Sequence, residues 1–364
     1  MPELNNDKNV YLIGAGLSKE IGLPLQDDFL LVAREVFFRD PTLFKHFERV
    51  FDYQDKLTKM KKYLNYPLLN LEHLFNLFEM DVFYSNSPEL ADIKNDFIRL
   101  VCDVLIAKTP CPFYLHEDGH LRMDNRFQAY VSFISILVKD YQDDLIMHGD
   151  TVISFNYDLV LEAAACIYNY KRHESRRGGY RKGNIRFNTT FGKTNITLAP
   201  FSNCFAQNRT GLDFPNSDLF SGDDGAIKLI KLHGSINWKA TNGGETFIVP
   251  PTWNKSDPQI RNLWDYAYKE LKSARRIVVI GYSFPETDIY VKSLIALALN
   301  ENKILQNIYF INPDEDVAKK MYLSLLDKYF EKYCAYKPWR FSYFVDSEEG
   351  RKFIEESLNR QVSA

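Results

Sequence analysis

Five short runs of almost unbroken apolar and β-branched residues constrain this chain more than anything else in its sequence: Val10–Ile13, Thr151–Phe155, Ala226–Leu232, Arg276–Ile280 and Asn307–Ile311. A strand with one face in water alternates apolar with polar residues. A run that is apolar throughout needs cover on both faces, which a parallel sheet between two helix layers supplies. Helical patterns fall between several of the runs, at Leu159–Tyr170, Trp264–Ser273, Tyr290–Asn300 and Val317–Tyr329. This alternation predicts an α/β fold with a doubly wound, mostly parallel sheet. Phe341–Val345 is expected to add a strand at one edge.

From about Asp28 to Lys139 the pattern changes to helical repeats (Phe29–Phe38, Leu71–Phe83, Ile93–Ile106, Phe127–Asp140) with almost no strand signal. It reads as a helical module inserted after the first βα unit. The expected organisation is therefore 1–27 and 147–346 as the sheet domain, 28–146 as the inserted helical module, and 347–364 as a C-terminal tail helix. With 364 residues, 45% of them hydrophobic, the chain can fill a core of that size. Leu71, Leu74, Phe75 and Phe78 have helical spacing and read as core. Residues 171–225 are polar, rich in Gly and Asn, and read as a long excursion on the active-site side.

Charge gives little sign of nucleic-acid binding: 45 Lys and Arg stand against 48 Asp and Glu, a net charge of −3. The basic stretch 171–186 (KRHESRRGGYRKGNIR) reads as a solvated loop. No basic-then-apolar leader precedes the first strand, and no apolar run reaches membrane-span length. Five scattered cysteines without a C-x-x-C pair suit a reducing cytoplasm and offer no zinc site, so no metal is expected.

Chemistry concentrates where the strands end. Val10–Ile13 runs into Gly14-Ala15-Gly16-Leu17-Ser18, a turn in which glycines let backbone approach a pyrophosphate and Ser18 can cap or donate. A tight turn that binds nothing satisfies the same residues. Hydride transfer is disfavoured, because Lys19 stands at the third glycine position of a dinucleotide fingerprint. No terminal acid on a second strand follows about 20 residues on. Ser154-Phe155-Asn156-Tyr157-Asp158 puts an amide and a carboxylate two apart at the next strand end. They can grip ribose hydroxyls or hold a water, or they can cap the following helix. Lys231-Leu232-His233-Gly234-Ser235 offers a histidine with little neighbouring side-chain cover, a candidate general base. Gly281-Tyr282-Ser283-Phe284, followed by Asp288, and Asn312-Pro313-Asp314 complete the set.

In this order (GAG-x-S, Asn-x-Asp, HG, G-x-S, I-N) the motifs resemble the sirtuin, or silent-information-regulator-like, family. The wording SFNYD, KLHGS and GYSFPETD is closer to the sirtuin-like NAD hydrolases of bacterial anti-phage defence. The resemblance covers both ends of the sheet, but neither the helical module nor residues 171–225. It implies a Rossmann-like sheet and the following roles. Gly14, Ala15, Gly16 and Ser18 lie at the pyrophosphate, Asn156 and Asp158 at the nicotinamide ribose, and His233 takes a proton. Gly281, Ser283 and Asn312 hold the adenosine side. Two departures count against protein deacetylation: Gly22-Leu23-Pro24 is followed by Leu25-Gln26-Asp27 where the deacetylases carry Asp-Phe-Arg, and the four-cysteine zinc module is absent.

The expected activity is therefore NAD⁺ glycohydrolysis, with NAD⁺ as substrate and nicotinamide and ADP-ribose as products. Unrestrained, such an enzyme would drain its cell, so the resemblance implies a defence effector that is kept off until triggered. It acts by abortive infection, as a homo-oligomer or with a sensor such as an Argonaute-like protein or a HerA-like ATPase. The competing readings are a sirtuin-like deacylase or ADP-ribosyltransferase, and a nucleotide-binding sensor without turnover.

Overall fold

The computed structural model describes residues 8–60, 70–85, 88–117, 121–138, 150–174, 187–188, 220–221, 227–239, 246–249, 260–285, 288–316, 319 and 328–358. Its strands in chain order are β1 (Asn9–Ile13), β2 (Phe113–Leu115), β3 (Leu121–Met123), β4 (Thr151–Ser154), β5 (Phe187–Asn188) and β6 (Phe220–Ser221). They continue with β7 (Ile227–Lys231), β8 (Gly234–Lys239), β9 (Thr246–Ile248), β10 (Arg276–Ile280), β11 (Asn307–Ile311) and β12 (Cys334–Lys337).

Eight of these form one parallel sheet in the order β12-β11-β10-β1-β4-β7-β5-β6. All five expected apolar runs are in it. Alternation at period two explains why each must be apolar throughout. Tyr11 and Ile13 of β1 join one core, with Val278 and Ile280 of β10. Val10 and Leu12 join the other, with Ile277 and Val279. The first core is roofed by helices Gln128–Leu137, Val160–Glu174, Phe341–Asp346 and Glu348–Leu358, the second by Arg261–Lys272 and Ile289–Glu301. The doubly wound α/β class follows directly.

Register matters more for function than strand count. Ile13 pairs with Ser154 and with Ile280, Ser154 with Lys231, and Ile280 with Ile311. The five motif-bearing strands therefore end on one level. In chain order the sheet goes from β1 to β4, out to β5 and β6 at the far edge, back inward to β7, and then to β10 on the other side of β1. The order thus reverses between β1 and β10, and ligands of open α/β sheets enter at such a reversal, beyond the carboxyl ends of the strands.

Between β1 and β4 lie the helices Phe29–Arg39, Phe47–Met60, Leu71–Ser85 and Pro88–Lys108. Leu71, Leu74, Phe75 and Phe78 are buried, as their spacing predicts, and their cluster is continuous with the core under β1. An antiparallel hairpin, β2–β3, interrupts this helical stretch where no strand was expected. A second unexpected hairpin, β8–β9, leaves the sheet immediately after His233.

The expected edge strand at Phe341–Val345 is a helix instead (Phe341–Asp346), and the edge is formed by Cys334–Lys337 paired with β11. Phe341, Phe344 and Val345 are buried. Their spacing of three and four fits one helical face, and the short length concealed that period. The basic stretch from 175 to 186, most of the 171–225 excursion, most of the expected helix at 317–329 and the last six residues of the expected tail helix lie outside the described residues. Among the described residues no helix is long and apolar enough to cross a membrane.

Candidate functional site

The glycine turn is built against the fourth motif. Gly14 N donates to the Ile280 carbonyl (3.1 Å) and Gly16 N to the Gly281 carbonyl (2.8 Å). A Cβ on Gly16 would lie 2.8 Å from Gly281 Cα. Gly281 itself has a φ of 61°, and its Cβ would lie 2.2 Å from Leu17 N. These glycines are thus required by backbone meeting backbone within the protein. Gly281→Ala is expected to cost about 2–3 kcal/mol of stability, from the left-handed conformation plus the overlap, as read by urea unfolding.

Asn156 joins the end of β4 to this turn. Its side chain is buried, and Nδ2 donates to the Gly14 carbonyl (3.0 Å) and to Ser18 Oγ (3.1 Å). Ser18 Oγ in turn donates to Asp158 Oδ2 (2.8 Å), while Asp158 Oδ1 accepts from Val160 N (3.0 Å) at the first turn of its helix. Capping, one of the two readings of the Asn-x-Asp motif, is therefore seen at Asp158. Tyr130 OH secures the turn from behind, donating to the Leu17 carbonyl (2.7 Å).

A buried ionic group holds this segment from below. Lys231 Nζ donates to the Asp158 carbonyl (2.5 Å), Glu162 Oε1 (3.0 Å) and Ser235 Oγ (2.7 Å), filling all three of its donor positions. Burial pushes the Glu162 carboxyl up, and the Lys231 charge and hydrogen bond work against that push. A small cavity between Asn156, Asp158, Glu162 and Lys231 separates this group from Ile13 and Leu17.

His233 stands beside Asn156 on the next strand end. The residue is 5% exposed, Nδ1 lies 3.2 Å from the Phe155 carbonyl oxygen, and Nε2 lies 3.6 Å from Asp288 Oδ2. Tyr282 donates to that same Oδ2 (2.5 Å) and stacks on Phe155 with centroids 4.0 Å apart. Tyr157 donates to the Val249 carbonyl (2.8 Å). Burial, then the charges of Glu72 and Asp288, hold the Tyr157 phenol well above its usual range. Tyr282 is raised likewise by burial and by Asp288.

The sequence-derived residues thus fall into two sets. Gly14, Ser18, Asn156 and Asp158 form one buried, hydrogen-bonded cluster, with Ala15 and Gly16 half-buried on its rim and Gly281 packed against the turn, while His233 is buried at the neighbouring strand end against Phe155 and Asp288. Ser283 is exposed, and Asn312 turns its Oδ1 to Asp314 N (2.9 Å) in its own loop, so neither side chain joins that cluster. Sequence reasoning passed over Tyr282, Lys231, Glu162 and Glu72, and noted Asp288 only as a neighbour of the fourth motif. Asp288 alone carried a readable signal, as an N-cap before an apolar helix. Among the described residues no group of three or more His, Cys, Asp or Glu side chains is placed to hold a metal.

Fold and rim together define a Rossmann-like, doubly wound α/β protein with polar side chains gathered at the carboxyl ends of its central strands. No family model matches the chain, and no curated protein matches it. Among solved structures it is similar to Sir2Tm bound to a propionylated peptide, at 13% identity and a TM-score of 0.36 over 96% of this chain and 92% of that one. It is also similar to a Sir2 homologue in complex with NAD, at 13% identity and a TM-score of 0.36 over 96% and 90%. A Sir2 homologue in complex with 2′-O-acetyl-ADP-ribose matches at 14% identity and a TM-score of 0.36 over 99% and 97%. The fold assignment itself rests on the strand order and register given above.

Proposed function

We propose that this protein is an NAD⁺ glycohydrolase, an NAD-depleting effector of anti-phage defence held off until a sensor or its own assembly triggers it. The observation that carries the reading is Asn156, which bridges the glycine turn and the end of β4 beside a histidine on the neighbouring strand end. The motif wording at the same positions supports the defence role and the choice of hydrolysis over acyl transfer. In this reading the C1′–N1 bond of NAD⁺ breaks, and its electron pair neutralises the pyridinium nitrogen of nicotinamide. Water oxygen adds to C1′ through an oxocarbenium-like state, and the water proton passes to His233. Asn156 and Asp158 orient ribose and water, a contribution of proximity. The glycine turn takes the pyrophosphate.

The test is NAD⁺ consumption by the purified protein, alone and with the product of the neighbouring gene, with products separated chromatographically. Nicotinamide and ADP-ribose in equal amounts, both lost in His233→Ala, are expected. Nicotinamide release that depends on an acylated peptide, or ADP-ribose found on protein, would give the transferase reading instead. Tight NAD⁺ binding without turnover, even with the partner present, would make the chain a sensor.

A further inference from the structure

We propose that Asp288 is a positioning residue that governs the protonation of His233; this rests on the reading of His233 as proton acceptor. Asp288 is 2% exposed and both its oxygens are held. Oδ1 accepts from Val291 N (3.4 Å) at the start of helix Ile289–Glu301, and Oδ2 accepts from the Tyr282 hydroxyl (2.5 Å). Oδ2 also stands 3.6 Å from His233 Nε2. That separation exceeds a hydrogen bond but is well within ion-pair range, so the carboxylate acts on the ring through its charge. On the ring's other side Nδ1 faces the Phe155 carbonyl oxygen, which only accepts. The neutral ring therefore carries its proton on Nδ1 and its basic lone pair on Nε2.

A proton gained at Nε2 creates a cation in a buried position, which desolvation opposes and a carboxylate alongside offsets. In the transfer an O–H bond of water or ribose breaks, an N–H bond forms at Nε2, and Asp288 stays ionised. Among the described residues, ionisable groups near the ring are Tyr157, with its centroid 6.2 Å away, and Tyr282, which is bonded to Asp288. Behind them stand Glu72, which bears on both phenols, and Cys102, which bears on Tyr157. Lys231, two residues earlier, is turned to Glu162. Both phenols are raised and stay neutral, and the Asp288 carboxylate stands in ion-pair range of the imidazole.

Asp288→Asn removes the charge while keeping size and shape. An asparagine still caps the helix through Oδ1, its NH2 takes the place of Oδ2, and the Tyr282 hydroxyl must turn to accept from it. The His233 imidazole can be titrated by NMR in the full-length protein, its signal identified by its loss in His233→Ala. Its midpoint is expected to fall by about 1–3 pH units in Asp288→Asn. The acid limb of kcat/KM for NAD⁺ cleavage should fall by the same interval. Tyr282→Phe keeps the stack on Phe155 and frees Oδ2 of its competing donor, so it should move the midpoint upward. It also keeps the test open if Asp288→Asn does not fold. An unmoved midpoint in the folded variants would reduce Asp288 to a helix cap and overturn the proposal. A midpoint that moves while the acid limb stays put would uphold the pairing and overturn the role of His233 as base.

Discussion

Asn156→Ala is expected to slow NAD⁺ cleavage by about 10²- to 10³-fold while leaving the protein folded. The amide is the piece that ties two separate motifs together, through its bonds to the Gly14 carbonyl and to Ser18 Oγ. Alanine removes one of two donors to that carbonyl, which still accepts from Leu17 N (3.0 Å), at a cost of about 1 kcal/mol, so a slightly lowered Tm should accompany the loss of rate. Asn156→Asp is the sharper variant. It is nearly isosteric, but it turns an acceptor toward the Gly14 carbonyl unless its carboxyl is protonated. The folded-state pKa of that new carboxyl should be raised. Its stability deficit should therefore be small at low pH and grow as pH rises through that value. Initial rates by chromatography, with thermal melts on the same samples, check both points. Near-wild-type turnover in folded Asn156→Ala would remove the residue from the mechanism.

The second large effect is on stability. Lys231→Met is expected to cost about 3–5 kcal/mol, because it strands the Glu162 carboxyl in a buried position. Two neutral partners, the Asp158 carbonyl and Ser235 Oγ, lose a donor as well. Without Lys231 the Glu162 carboxyl, already pushed up by burial, rises further above its unfolded value. The deficit should thus be least below the unfolded carboxylate range and grow as pH rises through the folded value. Removing both charges, Lys231→Met with Glu162→Leu, should restore most of the loss, since apolar pairs often replace buried ion pairs without penalty. Urea unfolding of the four species closes the cycle. Additive losses would show that the pair is not coupled.

Legibility was uneven, and the reasons are physical. The strands at Val10–Ile13 and Arg276–Ile280 were readable because burial on both faces forces apolar side chains at every position. The hairpin after His233 was not, since the pairing of Gly234 with Ile248 depends on contacts that neither segment encodes alone. Phe341–Val345 was misread because five apolar-rich residues satisfy either period. The helical stripe of Leu71, Leu74, Phe75 and Phe78 was clear, yet nothing in it signalled that Glu72 beside it would bear on Tyr157 and Tyr282.

By itself the sequence determined the two-sided strands, the α/β class and the identity of the residues at each strand end, because these depend on local period and on turn chemistry. The tertiary structure decided which of those ends act together. Parallel register levelled Ile13, Ser154, Lys231, Ile280 and Ile311, and the reversal between β1 and β10 set the glycine turn against Gly281. It also decided which polar groups are already engaged: Asp158 with Ser18 and its helix, and His233 between a carbonyl and a carboxylate. Partners 55 to 142 residues apart, such as His233 with Asp288 and Asn156 with Gly14, meet only after the whole sheet has closed. No local pattern records a contact of that range.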